Sequence, residues 1–442
     1  MPGALLTDLY ELNMAASYLR RGMKAEATFS LYVREMPPRR GFLVAAGLDA
    51  CLAFLESFSF DEEDLGWLGG HGFDDRAVQA FRGLRFEGEV WAVPEGRIVF
   101  ADEPVLEVTA PLPQAQLVET FLLNQVTLHT TIATKASRYR LAAGGSDLVD
   151  FAFRRSHGTD AAMAVARDSA MVGFAATSNV EAARRFDLPA AGTMAHSYVE
   201  AFENEADAFR AFVEDFPRRT TFLVDTYDTL HGVEAAIETI RRLNLSRGLG
   251  VRLDSGDLAS LSRQTRQMLD DADMSQVRIF ASGGLDELEV EALVRAGAPI
   301  DAFGIGTQMG VSADAPYVDS VYKLTEYGGR PVLKLSAKKV TAPGKKQVFR
   351  SEDGETLGLR GEELPGERLL VPVMRDGRRL GPSEPVAAMR ARFESDLEAL
   401  PAEARGLADP APSVAEHSLA LRTLGAEARA AALRRSGASS RA

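Results

Sequence analysis

One cysteine, Cys51, stands in a chain of 442 residues, which excludes a disulfide framework and a cysteine-built zinc site. Histidine is nearly as scarce. The six are His71, His129, His157, His196, His231 and His417, and none shows the HExxH spacing of a helical zinc site. No run of about 18 apolar residues occurs, so no membrane-crossing helix is expected. The first ten residues lack the basic start and apolar stretch of a signal peptide, and the expected location is the cytoplasm. Lysine is rare too: of eight, six fall between Lys323 and Lys346. Acidic residues outnumber basic ones, 63 to 50, for a net charge of −13. An acidic surface argues against nucleic-acid and anionic-membrane partners, while leaving room for a local basic pocket.

What the chain does have is apolar residues, at 46%, enough to bury a large core. Three textures follow one another. Residues 1–130 mix helix-like and strand-like pieces and read as an N-terminal α+β domain. Within it, Asp8–Gly22 is a predicted helix with Leu9, Leu12, Ala16 and Leu19 on one face, and Thr7 or Asp8 is the expected cap. Ala27–Val33, Gly88–Val93 and Arg97–Phe100 are predicted strands, and Pro111–Leu141 a helix or helix pair.

Residues 131–315 alternate apolar runs with amphipathic helices. The predicted strands are Leu148–Phe153, Thr221–Val224, Gly250–Leu253, Val277–Ala281 and Ala302–Ile305. The predicted helices are Asp160–Gly173, Asn179–Phe186, Val233–Leu243, Leu258–Asp270 and Leu285–Ala296. Polar or small residues close the later strands: Asp225, Asp254, Ser282 and Gly306, spaced by 29, 28 and 24 residues, about one βα unit each. The fold class is therefore α/β, most economically a (βα) barrel, with its chemistry at the C-terminal strand ends. No lysine lies between Lys135 and Lys323, which disfavours a Schiff-base aldolase or lyase. Residues 316–400 return to hairpin texture, with Gly328-Gly329 as a turn and a helix at the end. Residues 401–442 give a last helix and a tail, Ser436–Ala442, expected to fray.

Several constellations can carry chemistry. Asp150-Phe-Ala-Phe-Arg154-Arg155 ends a strand with two adjacent arginines, which suit a carboxylate or phosphate but equally a surface ion-pair cluster. Gly192-Thr-Met-Ala-His196-Ser places a histidine among small residues in a predicted loop, as a base, a phosphoryl acceptor or a structural group. Arg252-Leu-Asp254-Ser255-Gly-Asp257 fits ribose or phosphate binding, and Asp254 or Ser255 fits a helix cap as well. Ser282-Gly283-Gly284 and Gly304-Ile-Gly306-Thr307 are glycine turns after successive late strands, where barrels commonly hold phosphate. These residues alone point to an α/β-barrel enzyme acting on a phosphorylated sugar.

TDLYELNMAASYLRRG, DFAFRRSHG, FAATSNVEAA, GTMAHSYVEAF, LVDTYDT, VRLDSGDL, FASGGLDE, GIGTQM and YKLTE…GRPVLKLSAKKVTAPGKKQVFR, in that order from Thr7 to Arg350, resemble nicotinate phosphoribosyltransferase. The resemblance implies the type II phosphoribosyltransferase fold. That is an irregular (βα) barrel plus an α+β domain formed by the N-terminal segment and the post-barrel hairpins. It implies transfer of ribose 5-phosphate from phosphoribosyl pyrophosphate to nicotinate, giving nicotinate mononucleotide and pyrophosphate. It further implies ATP hydrolysis coupled through a phosphohistidine at His196, magnesium, and a homodimer whose sites are shared. Carried over residue by residue, Tyr10 would stack on the pyridine in the partner's site. Arg138, Arg154 and Arg155 would bind the nicotinate carboxylate and phosphates, with Asp150, Thr177 and Ser178 beside the base. Arg252 and Asp254 would handle phosphates and ribose hydroxyls, and Ser282, Gly283, Gly284, Gly304, Gly306 and Thr307 the 5-phosphate. Ser156-His157-Gly158 departs from the Ala-Gln-Gly of better-known members, and the simpler reading of His157 is a local variation. For the lysine-dense segment 334–346 the simpler account is a solvated hairpin face. The rivals are the nicotinamide enzyme, the quinolinate enzyme (disfavoured by GTMAHS) and a catalytically silent dimeric homologue.

Overall fold

The computed structural model describes residues 3–335 and 341–435. Lys338, Lys339 and the tail Ser436–Ala442 lie outside them. Two compact units divide the chain. One is Met1–Thr131, Tyr317–Gly406 and Pro410–Ala442; the other is Ile132–Pro316 with Leu407–Asp409. The long helix Glu119–Ala142 contains the boundary.

The first unit is built on a seven-stranded antiparallel sheet in the order 330–331, 320–327, 26–33, 104–111, 89–92, 371–375, 378–379. Glu26–Val33 is paired on both edges and buries seven of its eight residues. Phe29 stacks on Tyr322 across the pairing at 4.7 Å. Gly328 and Gly329, both at positive φ, make the expected turn between Ser320–Tyr327 and Arg330–Pro331. Lysine 346 corrects the reading of segment 334–346 as a solvated face. It is fully buried, its ammonium 3.2 Å from Glu107 and donating to the carbonyls of Ala342 and Gly344. Glu107 also accepts from Ser30 and Arg360, so a charge cluster sits inside the sheet. A buried charge is tolerated only when paired in this way.

The second unit is a curled parallel sheet flanked by helices. Its strands are β1 (Asp147–Asp150), β2 (Ala176–Thr177), β3 (Thr220–Leu223), β4 (Leu249–Leu253), β5 (Arg278–Ala281) and β6 (Ala302–Ile305). They pair in the order β2-β1-β6-β5-β4-β3. The helices start where short polar side chains accept the first free amides. Asn179 takes the Ala182 N–H, Asp228 that of His231, Asp257 that of Ser260, and Asp286 that of Glu289. Asp257, and not Asp254 or Ser255, is thus the cap, and those two are left for the site. A second correction concerns the first helix, Leu9–Arg20. Neither Thr7 nor Asp8 caps it with a side chain; Thr7 donates its hydroxyl to Glu11 instead.

Glu11 is fully buried, accepting from Thr7 and from Thr120 at 2.7 Å. Burial pushes its carboxyl up to about 7, against the opposing pull of those hydroxyls. An acid whose folded pKa is raised binds its proton more tightly when folded. The stability tied to that proton is complete below the unfolded value and is lost as pH rises through about 7. Calorimetric melting between pH 5.5 and 8 should therefore show a fall for the wild type that is absent in Glu11→Gln. Parallel pH profiles for the two proteins would refute this account of Glu11.

Candidate active site

The C-terminal ends of β1 to β4 and the segment 192–196 enclose a cavity of about 510 Å³. Phe151, Phe153, Arg154, Ser178, Thr193, Met194, His196, Arg252 and Asp254 are among its walls. Arg252 ties the walls together. Its Nε donates to Ser282 Oγ (2.8 Å), Nη1 to Thr193 Oγ1 (3.0 Å) and Nη2 to Asp254 Oδ1 (2.6 Å). Its guanidinium also lies 5.5 Å from the centre of the Phe151 ring. Of five N–H groups, two are left for an anion.

Asp254 is the second fixed point. Its Oδ1 accepts from Arg252 and from Ser282 Oγ (2.5 Å), its backbone amide donates to Asp225 Oδ2 (2.9 Å), and its Oδ2 is 3.7 Å from His196 Nε2. Burial would raise this carboxyl. Ser282, Arg252 and His196 together outweigh that and hold it below its ordinary range, so it is ionised at neutral pH. His196 opens a five-residue helix, His196–Glu200, rather than standing in a loop. Its Nδ1 is 3.2 Å from Thr226 Oγ1, and its ring is about two-fifths exposed (42%).

The other expected residues divide. Arg154 lines the cavity and is exposed, with no side-chain partner among the described residues. Arg155 and His157 are exposed and do not line it. Ser178 lines it, while Thr177 is buried beneath, donating to Asp150 Oδ2 at 2.7 Å. Asp150 does not reach the cavity as expected. It is 1% exposed, and its second oxygen accepts the Ala152 N–H at 2.8 Å. Arg138 is likewise corrected. It is buried, donating to Glu287 (2.7 Å) and to the Leu407 carbonyl (2.8 Å), with Lys135 on the other Glu287 oxygen (2.5 Å). These ties make it part of a buried ion cluster. Gly283, at φ +117°, fits the expected strand-end turn, since a Cβ there would sit 2.2 Å from the Asp254 carbonyl. Gly304 serves packing instead of phosphate: a Cβ would fall 2.7–2.8 Å from the rings of Phe280 and Phe151. Gly284, Gly306 and Thr307 remain open at strand ends. Tyr10 belongs to the first unit. It is half exposed, its phenol pushed up by burial and by the carboxylates of Glu119 and Glu11.

Sequence reasoning gave no role to Phe151, Thr193 or Thr226. Asp225 was marked only as a polar residue closing its strand, and it follows β3 as Asp254 follows β4. Its Oδ2 also accepts from Ser255 (2.6 Å), while its buried Oδ1 has no hydrogen-bond partner.

Residues 5–127 match the nicotinate phosphoribosyltransferase N-terminal domain, and residues 146–353 the nicotinate phosphoribosyltransferase family. Nicotinate phosphoribosyltransferase pncB2 of Mycobacterium tuberculosis (strain H37Rv) is 50% identical over 415 residues, 92% of this chain and 89% of that protein. The enzyme of Bacillus subtilis is 40% identical, covering 83% of this chain and 78% of its own. The crystal structure of human nicotinic acid phosphoribosyltransferase superposes with a TM-score of 0.85 at 29% identity, over 95% of this chain and 99% of that one.

If Arg138 is structural, Arg138→Ala leaves Glu287 short of a buried partner. It should lose about 3–5 kcal/mol in urea unfolding, the range for breaking a buried pair. The folded fraction should keep its KM for the pyridine substrate. A raised KM with unchanged stability would put Arg138 back among the substrate ligands.

Proposed function

The chain belongs to the nicotinate phosphoribosyltransferase family, and we propose how its own residues carry out and drive that reaction. The function is the first step of NAD salvage from nicotinate: transfer of ribose 5-phosphate from phosphoribosyl pyrophosphate, giving nicotinate mononucleotide and pyrophosphate. The observation favouring the acid over the amide is a pairing asymmetry. Arg154 faces the cavity without a partner, whereas both oxygens of Asp150, the acceptor an amide would want, are already hydrogen-bonded. A free guanidinium is matched by a carboxylate.

Displacement at the anomeric carbon passes through an oxocarbenium-like state. The pyridine nitrogen is unprotonated at neutral pH and needs no general base, so the work is positioning and charge stabilisation. Arg154 and Ser178 orient the base beside Phe151 and Phe153. Asp254, ionised and held by Arg252, presents Oδ2 to the ribose hydroxyls and to developing positive charge. The turns at Gly283-Gly284 and Gly306-Thr307 take the 5-phosphate.

Magnesium characteristically keeps most of its ligands as water and phosphate, using one or two carboxylates. Among the described residues no three histidine, cysteine or carboxylate side chains gather into a metal site. Asp225, with an unpartnered oxygen, and Asp254 suit that sparse mode. The ion would supply charge neutralisation for departing pyrophosphate.

ATP coupling belongs to the same proposal. With the proton on Nδ1 donated to Thr226, the Nε2 lone pair of His196 attacks the γ-phosphorus of ATP, and the bond to the β,γ-bridging oxygen breaks as ADP leaves. A phosphohistidine beside Asp254 and Arg252 changes the field across the cavity and with it substrate affinity. The working form is a cytoplasmic homodimer to which each chain lends Tyr10.

The test is nicotinate mononucleotide formation with and without ATP, with nicotinamide run in parallel. Nicotinate alone should be used, and ATP should stimulate. His196→Ala should abolish ATPase activity and ATP stimulation and leave slow transfer. Unchanged stimulation in that variant would sink the phosphohistidine, and product from nicotinamide alone would move the assignment to the amide enzyme.

A further inference from the structure

The turn 100–103 in the first unit carries Glu103, which is 1% exposed. Its Oε2 accepts the Phe100 N–H at 2.9 Å. Its Oε1 is buried and meets no donor among the described residues. Facing it is Glu355, on the strand Gly354–Leu359 that pairs with Lys346–Ser351. Glu355 Oε1 accepts from Arg350 at 2.6 Å, while its Oε2 is buried and equally without a donor. The two carboxyl groups lie within hydrogen-bond reach of each other. Two acceptor atoms cannot satisfy one another, whereas a proton between them satisfies both.

The charges around the pair leave no cation for Glu103. Arg350 is divided: its Nε serves Glu355, its Nη1 serves Asp396 at 2.9 Å, and its Nη2 donates to the Ile98 carbonyl. Arg97, the next cation, gives both terminal nitrogens to Glu367 at 2.7 Å each and its Nε to Asp396 at 2.8 Å. Four carboxyls, those of Glu103, Glu355, Glu367 and Asp396, therefore stand against two guanidinium groups. Asp102, the residue before Glu103, adds a further acid and faces Arg34, Glu35 and His417. Burial lowers the pKa of His417, so this imidazole is neutral at pH 7 and brings no relief. An ionised Glu103 would be a buried charge facing another carboxylate, the case in which one acid keeps its proton. Burial and Glu355 push the Glu103 carboxyl up, against the pull of the Phe100 amide and of Arg350.

We propose that Glu103 and Glu355 share one proton, and that this proton is a clasp, opened at alkaline pH, fastening the hairpin 346–359 to the turn 100–103. Glu103 is the donor, because Glu355 is already matched by Arg350 and Glu103 is held by an amide alone. The clasp belongs to the packing of the first unit and stands apart from the transfer reaction. Removing the proton leaves two facing carboxylates out of reach of water. An acid whose folded pKa is raised contributes stability that is complete below its unfolded value, about 4.3, and is lost as pH rises through the folded one. Lys346, whose ammonium is 3.2 Å from Glu107, fastens the same hairpin elsewhere, and burial lowers its pKa. The comparison below therefore keeps Lys346 in every protein.

The test sets the wild type against Glu103→Gln, whose amide donates to Glu355 and accepts from Phe100 without a titrating proton. At pH 7 the infrared spectrum of the wild type should show the carbonyl stretch of a neutral carboxylic acid that Glu103→Gln lacks. Between pH 7 and 9.5, trypsin cleavage at Arg350 should quicken about tenfold more in the wild type than in Glu103→Gln, since cleavage follows the population of the opened hairpin. Titration of Lys346 and Glu11, and of trypsin itself, is common to both proteins and cancels. A missing band difference at pH 7 overturns the shared proton. An equal pH dependence of cleavage overturns the clasp. Should Glu103→Gln not fold, Glu355→Gln reads the same pair from the other side. Its amide supplies the hydrogen bond at every pH, so the rise in cleavage should flatten in the same way, and a rise as steep as in the wild type overturns the clasp.

Discussion

The guanidinium of Arg252 is the constraint on which the site depends. It joins the end of its own strand to Ser282 on the next and to Thr193 in the segment leading to His196. Three oxygens from three parts of the chain converge on one planar, permanently charged group. That convergence settles the state of Asp254. Burial by itself would favour the neutral acid; the arginine and the Ser282 hydroxyl hold it ionised and turn its free oxygen toward His196. Asp225 fixes the backbone at the same point from the neighbouring strand. A charge placed this way needs no reorganisation when positive charge develops on a substrate.

The same rule, that a buried charge must be matched, explains features that have nothing to do with catalysis. Lys135, Arg138, Glu287 and Asp314 form a cluster in the barrel unit, and Lys346, Arg360 and Glu107 form another in the first unit. Two of only eight lysines are thus used inside cores. Such clusters add little net stability relative to apolar packing, yet losing one member leaves the others stranded. They behave as locks on a particular arrangement rather than as sources of binding energy.

This is also why the sequence was easier to read for architecture than for roles. The barrel strands showed themselves as apolar runs at βα spacing, and Ala302–Ile305 was placed to the residue. The two-residue β2 was missed because two residues carry no period. So were the helices Leu48–Ser57 and Glu205–Asp215, which lie between clearer signals. At the site, Arg252, Asp254, His196 and Arg154 were legible because they stand at strand ends or beside them, in motifs. Arg138 and Asp150 were placed wrongly for a physical reason: an arginine for an anion and an arginine for a buried glutamate are the same letter. Only the partners found in three dimensions separate the two. Gly304 repeats the point, since a glycine for phosphate approach and one for ring packing look alike in a sequence.

Pairing state is therefore the quantity that turns residues into function here. Asp150, 1% exposed, has each oxygen engaged, by Thr177 and by the Ala152 amide, and so serves as a strut under the floor of the cavity. Arg154, a few residues on, lines the cavity and has no side-chain partner among the described residues.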